Sequence, residues 1–444
     1  MQGTREHWGS RFGFIMAAAG SAVGLGNIWR FPYTTGQNGG GAFLLIYFGI
    51  IIAFGISVVM AEMLIGRSAQ RNPVGAFRVL GGRGWPLVGY FGVCTGFVIL
   101  SFYIVVAGWT LAYIVHMARG ALHTSDAAAL GQIFGDFVAS PLEPLGYAAA
   151  FMALTAWVVL GGINKGIERA NKILMPLLFV LLLVLVVRAV TLPGAMAGVR
   201  FYLTPDWSAV GPDTFFAAIS QAFFSLSIGM GTMLTYGSYL SLRENLPSSA
   251  LTVGLVDSTA AFLSGLMVLP AVFAFGFAPN AGPGLTFITL PAVFSAMPFG
   301  DLFGVLFFLL LAIAALTSAV SILEPLVSYT VDEHGISRRR VVIGAAIVCF
   351  LLGVPASLSF GVMAELTVFG KNWFDLMDFL ANNLMLPIGG LGTALFVGWA
   401  WRAPALRALS NEGQLHQPWA PVWLFILRYL APAGILWILI SALI

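Results

Sequence analysis

Charge is what this sequence has least of. Asp, Glu, Lys and Arg make up 9% of its 444 residues, while 59% are hydrophobic. A soluble domain carries about 25% charged residues, so this composition cannot cover a water-facing surface and most of the exterior must meet lipid. The formal net charge of +3 is too small to suggest nucleic acid as a partner. Cysteine is nearly absent. Cys94 and Cys349 both lie in apolar runs and are expected as buried thiols rather than a disulfide or a metal pair. The five histidines are scattered without metal-ligand spacing, and no nucleophile motif stands out. An enzyme has nothing here to rest on. The first apolar stretch is too long for a removable leader and contains Asn27 and Arg30, so it is expected to be a retained span.

What is present is a series of apolar segments long enough to cross a bilayer. About eleven are predicted, at roughly 11–35, 41–66, 85–118, 145–161, 166–190, 213–240, 248–276, 300–332, 339–355, 373–400 and 419–443. Lipid offers no hydrogen-bond partner to the backbone, so these must be helices. The fold class is therefore an all-α integral membrane protein, a single domain over 1–444 with no soluble domain attached.

Lys and Arg set the orientation. With the N-terminus inside, the cytoplasmic segments hold Arg5, Arg11, Arg67, Arg71, Arg78, Arg83, Lys165, Arg169, Lys172, Arg243, Arg338, Arg339, Arg340, Arg402 and Arg407. The outer ones hold only Arg119, Arg188, Arg200 and Lys371. The protein is predicted to be a multi-pass protein of the cell (inner) membrane, N-terminus cytoplasmic and C-terminus outside. The outer connection at roughly 277–299 has four prolines around an apolar stretch from Phe287 to Leu290, which predicts a folded cap rather than a linker.

Span 1 has Gly20, Gly24 and Gly26 near its centre, followed by Asn27 and Arg30. Each glycine costs a helix up to about 1 kcal/mol relative to alanine. Span 6 repeats the anomaly with Ser225, Ser227, Gly229 and Gly231 in alternation. One such span would suit close helix packing, since Gly20 and Gly24 form a GxxxG pair. Two in corresponding positions suggest more. Spans 1–5 (about 11–190) and spans 6–10 (about 213–400) each open with an interrupted helix, leaving an extra final helix at about 419–443. Five is odd, so the second half enters the membrane in the opposite sense: a 5+5 inverted repeat with broken helices 1 and 6, the pattern that marks a transporter's midplane site. An unwound turn exposes carbonyls to a cation and N–H groups to a carboxylate, and the half-helix ends add partial charges of matching sign.

Ionisable residues inside spans are costly and need a reason. Glu62, Asp257, Glu324, Asp378 and Arg30 are the main cases, and Glu62 is expected to satisfy the broken turn of span 6. Span 8 carries Ala314, Thr317, Ser318 and Ser321 at i, i+3, i+4 and i+7, on one face. Two readings stand for that stripe: helix packing with hydroxyls bonded back to i−4 carbonyls, or oxygen ligands facing the gap in span 1.

In these motifs the sequence resembles the neurotransmitter:sodium symporter family, in its bacterial amino-acid branch. The resemblance rests on Arg5-Glu-His-Trp8, the stretch Gly20-Ser-Ala-Val-Gly-Leu-Gly-Asn-Ile-Trp-Arg30-Phe-Pro32 and Asn38-Gly-Gly-Gly-Ala-Phe43. Further along it rests on Ser225 to Gly231, Gly284 to Pro291, Ala315 to Ser318 and Met377-Asp378-Phe379. It implies sodium-coupled symport by alternating access, with two Na+ sites beside a central substrate. The first sodium would take Ala22, Asn27, Ser225 and Asp257, the substrate carboxylate completing the shell. The second would take the carbonyls of Gly20, Val23 and Ala314 with the hydroxyls of Thr317 and Ser318.

The resemblance also implies a small-molecule amino-acid substrate. Its carboxylate would meet the N–H groups of Leu25 and Gly26 and the Tyr103 hydroxyl. Its ammonium would meet carbonyls near Ala22, Phe224 and Ser227. Val23, Ile99, Tyr103, Phe224 and Met230 would wall its side chain, together with Ser318, Ala319 and Ile322 of span 8. Monoamine-carrying relatives place an aspartate where this chain has Gly24, so Gly24 implies an α-carboxylate substrate. The apolar wall implies a neutral, hydrophobic amino acid, aliphatic or aromatic. Arg30 and Asp378, with Gln221, would gate the outside. Arg5 and Asp332, with Trp8 and Tyr239, would gate the inside.

The chain departs from the best-known bacterial pattern in three places. Asp257 stands where many relatives have asparagine, and Ala261, one turn on along the same face, where chloride-independent relatives can carry a glutamate. Asp257 could then replace chloride as the balancing charge. Chloride is expected not to be required, with Asp257 protonated on the empty return step. Eleven spans also stand where many members have twelve, which leaves the oligomeric state open. Gly166 and Pro176 in span 5 suggest either local unwinding toward the second sodium or a simple proline kink. The alternatives are a proton-coupled amino-acid porter of similar design, which often has a basic residue where Thr317 and Ser318 stand, or a substrate-binding sensor on the same scaffold.

Overall fold

The protein is described from a computed structural model covering residues 6–277 and 284–442. Among the described residues the regular structure is helical, and the only β contacts are two isolated bridges. Among the described residues nine helices are long and apolar enough to cross a membrane: Gly41–Ala69, Pro86–Ala118, Glu143–Leu160, Ile163–Val190, Leu246–Ala274, Gly300–His334, Arg338–Leu358, Trp373–Ala400 and Ala420–Ser441. These are spans 2–5 and 7–11. Span 1 is a bent pair, Arg11–Ala22 and Gly26–Gln37, with a 50° change of direction. Span 6, predicted as an interrupted crossing segment, is two short helices, Pro212–Ser225 and Thr232–Gly237, each too short to cross alone.

Both breaks have local causes. Ser10 caps the start of span 1 by accepting from the Gly13 N–H. The helix stops at Ala22 because Val23 turns extended, with φ −79° and ψ 92°, and the next residues include two glycines. In span 6 the chain passes through left-handed conformations at Ser227, Gly229 and Gly231. Gly229 is required twice over. Its φ is +89°, and a Cβ there would strike the Leu386 carbonyl oxygen of span 10. The Gly229 N–H left without a helical partner donates to Glu62 Oε1 of span 2 at 2.8 Å, the role expected for that buried carboxylate.

Span 8 is central. It packs along span 3 and against spans 1, 4 and 5, and 83% of its apolar window is buried, against 33% for span 11. Span 11 lies at the periphery against span 10 and the outer half of span 6. The short helix Leu285–Ser295 of the outer connection is buried and stacks Phe287 on Phe134 of the outer helix Ala127–Ala139; residues 278–283 of the expected cap lie outside the described ones. Cys349 is buried as expected, but Cys94 of span 3 is exposed. Hydropathy could not separate the two, because a lipid-facing position and a core position are equally apolar.

Candidate functional site

The two breaks lie side by side. The Ser227 hydroxyl donates to the Ser21 carbonyl at 3.0 Å, Gln221 Nε2 to the Gly26 carbonyl at 2.8 Å, and Ser321 of span 8 to the Ser21 hydroxyl at 2.8 Å. Between them lies a cavity of about 20 Å³, room for roughly one water. Span 1 lines it with Ser21, Ala22, Gly24, Leu25 and Gly26, and span 6 with Phe224, Ser225, Ser227 and Met230. Ile99 and Tyr103 of span 3 and Ser318 and Ile322 of span 8 close it. Of the residues expected around the substrate, Val23 and Ala319 do not line this cavity, although both are fully buried. The Tyr103 hydroxyl is buried beside the Ser318 hydroxyl and the Leu25 main chain. It lies 3.5 Å from where a Gly24 side chain would begin, with the Ser318 hydroxyl closer still at 2.5 Å. Gly24 therefore leaves room that any larger residue would fill.

Beside the cavity, Asp257 is fully buried. Its Oδ1 accepts from Asn27 Nδ2 at 2.8 Å and Ser225 Oγ at 2.7 Å, and its Oδ2 from the Tyr47 hydroxyl at 3.4 Å. Ser264 donates to the Asn27 carbonyl at 2.5 Å. Of the four residues expected at the first sodium, Asn27 and Ser225 both meet Asp257, and Ala22 lines the adjoining cavity. Their atoms are hard oxygens including one full charge, the donor chemistry that suits a small hard cation. Tyr47 is a partner of Asp257 that the sequence reasoning missed.

On the other side of span 1, the Ser318 hydroxyl lies 3.3 Å from the Gly20 carbonyl. The Thr317 hydroxyl lies 3.0 Å from the Ala314 carbonyl, and the Thr317 Cβ is 3.1 Å from where a Gly20 side chain would begin. Val23 is the residue at which the helix stops. The residues expected at the second sodium therefore gather at one junction of spans 1 and 8, and their oxygen-only chemistry again fits a hard cation.

The Phe224 ring lies across Gly26, 2.6 Å from where a Cβ would sit, and forms part of the boundary between the small cavity and a chamber of about 320 Å³. Arg30 holds its guanidinium 5.3 Å from the centre of the same ring and 3.4 Å from Ser220 Oγ. Asp378 lines the chamber too but accepts from Asn382 at 2.7 Å. Arg30 and Asp378 face one chamber without a direct ion pair among the described contacts.

At the opposite end Trp8 donates to the Tyr236 carbonyl at 3.0 Å and packs edge-on against the rings of Tyr236 and Tyr239. Asp332 accepts from the backbone and side chain of Asn72 at 3.2 and 3.3 Å. Arg5 lies outside the described residues. The strongest contact here was missed from sequence. Arg338 of span 9 grips the fully buried Glu324 of span 8 through two bonds of 3.0 and 2.5 Å, and the Tyr239 hydroxyl of span 6 donates to the same carboxylate at 2.8 Å. In the sequence Arg338 reads only as one of three consecutive arginines.

Paired broken helices around a buried cavity, with the buried carboxylate of Asp257 beside it, define a secondary transporter of the broken-helix class. The Sodium:neurotransmitter symporter family model matches residues 5–127 and 144–444, and the chain belongs to that family. It is a sodium-dependent symporter. It is 41% identical over 431 residues to the protein named uncharacterized sodium-dependent transporter YhdH of Bacillus subtilis, covering 97% of this chain and 96% of that one. The sodium- and chloride-dependent GABA transporter 2 of Homo sapiens is 27% identical over 499 residues, covering 98% of this chain and 80% of that one. The crystal structure of MhsT in complex with L-phenylalanine superposes with a TM-score of 0.91 at 49% identity, covering 99% of this chain and all of that one.

Proposed function

We propose that the protein couples sodium entry to uptake of a neutral, hydrophobic L-amino acid by alternating access, and that its halves at about 11–190 and 213–400 form the inverted repeat. One observation carries this: the cavity between the two breaks combines main-chain groups of span 1, the buried Tyr103 hydroxyl and an apolar wall of Ile99, Phe224, Met230 and Ile322. The first end suits a carboxylate and the second an aliphatic or aromatic side chain. MhsT, so similar in fold, was crystallised with L-phenylalanine, which supports the same substrate class.

Two sodium ions would bind. The first joins Asn27, Ser225 and Asp257 with the substrate carboxylate, so that ion and substrate share ligands and each raises the other's affinity. The second joins spans 1 and 8 through Gly20, Val23, Ala314, Thr317 and Ser318. Each charge crossing the full membrane potential contributes about 2.3 kcal/mol per 100 mV. Asp257, buried among neutral donors, supplies the negative charge that chloride would otherwise provide, so chloride is not required. The N-terminus lies inside and the C-terminus outside a cell membrane.

The test is uptake of a panel of labelled amino acids into proteoliposomes under an inward sodium gradient, with potassium replacing sodium as the control. Sodium-dependent accumulation of a hydrophobic amino acid is expected. Equal uptake in both salts would point to proton coupling, and no uptake of any amino acid would refute the substrate class.

A further inference from the structure

We infer that Asn171 of span 5 supplies an oxygen to the second sodium ion; this rests on the second sodium site proposed above. The ligands proposed for that site come from spans 1 and 8 alone. Asn171 approaches the same junction from a third helix. It is buried, with 1% of its surface exposed. Its Nδ2 donates to the Ile167 carbonyl at 2.9 Å, while its Oδ1 has no hydrogen-bond partner among the described residues.

The position of that oxygen is specific. A side chain built on Gly20 would collide with Asn171 Oδ1 first and with the Thr317 Cβ next, at 3.1 Å. The amide oxygen therefore sits against Gly20 on the side that faces Thr317, among residues already assigned to the ion. The orientation of the amide is determined by its other end. Turning it over would aim the oxygen at the Ile167 carbonyl, acceptor against acceptor, and forfeit the one bond it makes.

Neither nearby hydroxyl supplies a donor. Thr317 Oγ1 is turned to the Ala314 and Ile313 carbonyls at 3.0 and 3.2 Å, and Ser318 Oγ to the Gly20 carbonyl at 3.3 Å. A buried acceptor without a donor is costly and uncommon. An amide oxygen is a hard, neutral ligand equivalent to a backbone carbonyl, so a cation in contact with the Gly20 carbonyl is the partner this group lacks. Because Gly20 has no side chain, the oxygen can reach the ion past span 1.

The experiment is equilibrium binding of 22Na+ to the purified full-length protein, without amino acid, over a sodium titration balanced with choline. Tryptophan fluorescence follows the same titration. Asn171→Leu removes the oxygen and keeps the volume, Asn171→Asp keeps an oxygen and adds charge, and Thr317→Ala removes a ligand of the proposed site. Asn171→Leu is expected to raise half-saturating sodium about tenfold, as loss of an ion-orienting group does. Thr317→Ala should do likewise, and Asn171→Asp should lower half-saturation. A shift with Thr317→Ala and none with Asn171→Leu would overturn the role of Asn171 and leave the site standing. No shift with either would remove the site and the inference together. A shift with Asn171→Leu alone keeps Asn171 and removes Thr317 from the ligand set. If Asn171→Leu does not fold, as judged by gel filtration, Asn171→Asp decides: a tightened curve supports the ligand and an unchanged one refutes it.

Discussion

Replacing Arg338 by alanine removes both bonds to Glu324. Glu324 is fully buried and keeps, among the described residues, the 2.8 Å bond from the Tyr239 hydroxyl. Breaking one side of a buried ion pair costs about 3–5 kcal/mol, and the surviving Tyr239 bond offsets roughly 1 kcal/mol of that. Tyr239 belongs to the inner half of span 6 and Glu324 to span 8, so the contact exists only while those elements are closed on one another. Opening this end lets water reach the carboxylate, and the loss therefore falls on the closed state. About 2–4 kcal/mol corresponds to a shift of roughly thirty- to a thousandfold toward the open arrangement. Hydrogen exchange across residues 6–20 and 232–240 would report the shift, because Trp8 packs on Tyr236 and Tyr239. Concentrative uptake should fall together with the rise in exchange. The double variant Arg338→Gln with Glu324→Gln leaves no stranded charge and should recover much of the protection. Exchange in Arg338→Ala equal to that of the wild type would refute the reasoning.

Three further outcomes follow from the same geometry. Gly24→Ala places a methyl group 2.5 Å from Ser318 Oγ, so binding of labelled phenylalanine or leucine should fall about five- to 150-fold, given roughly 1–3 kcal/mol for overpacking, while the purified protein stays folded. Glu62→Ala strands the Gly229 N–H in the bend of span 6 and should cost about 1–3 kcal/mol, seen as a lower unfolding midpoint in detergent; an unchanged midpoint would deny the cap its role. Uptake by the wild type should be unaltered when gluconate replaces chloride, whereas Asp257→Asn should either lose uptake or make it chloride-responsive.

The membrane class, the breaks in spans 1 and 6 and the task of Glu62 could be read from sequence because each violates a rule that lipid enforces. Glycine clusters and carboxylates do not sit in a span without cause. The course of span 6 was less legible. Its break runs through Ser227 in a left-handed conformation, which no propensity favours and which the bond to the Ser21 carbonyl helps to hold. Arg338 and Asn171 were hidden for a different reason. Arg338 begins span 9 among three consecutive arginines, and Asn171 follows Lys165 and Arg169, so both read as ordinary polar residues, and what they face, Glu324 and Gly20, belongs to other helices. The outward turn of Cys94 shows the same limit, since hydropathy reports apolarity and not the direction a residue faces.

The disparity between a chamber of about 320 Å³ and a cavity of about 20 Å³ separates admission from acceptance. Compounds of many lengths can enter the aromatic chamber, but passage beyond it requires the Phe224 ring to swing away from Gly26 and the walls below to spread. Length, more than headgroup, should then divide passengers from blockers: a molecule that fits above but cannot be swallowed below would hold the ring in place and stop the cycle from the outside.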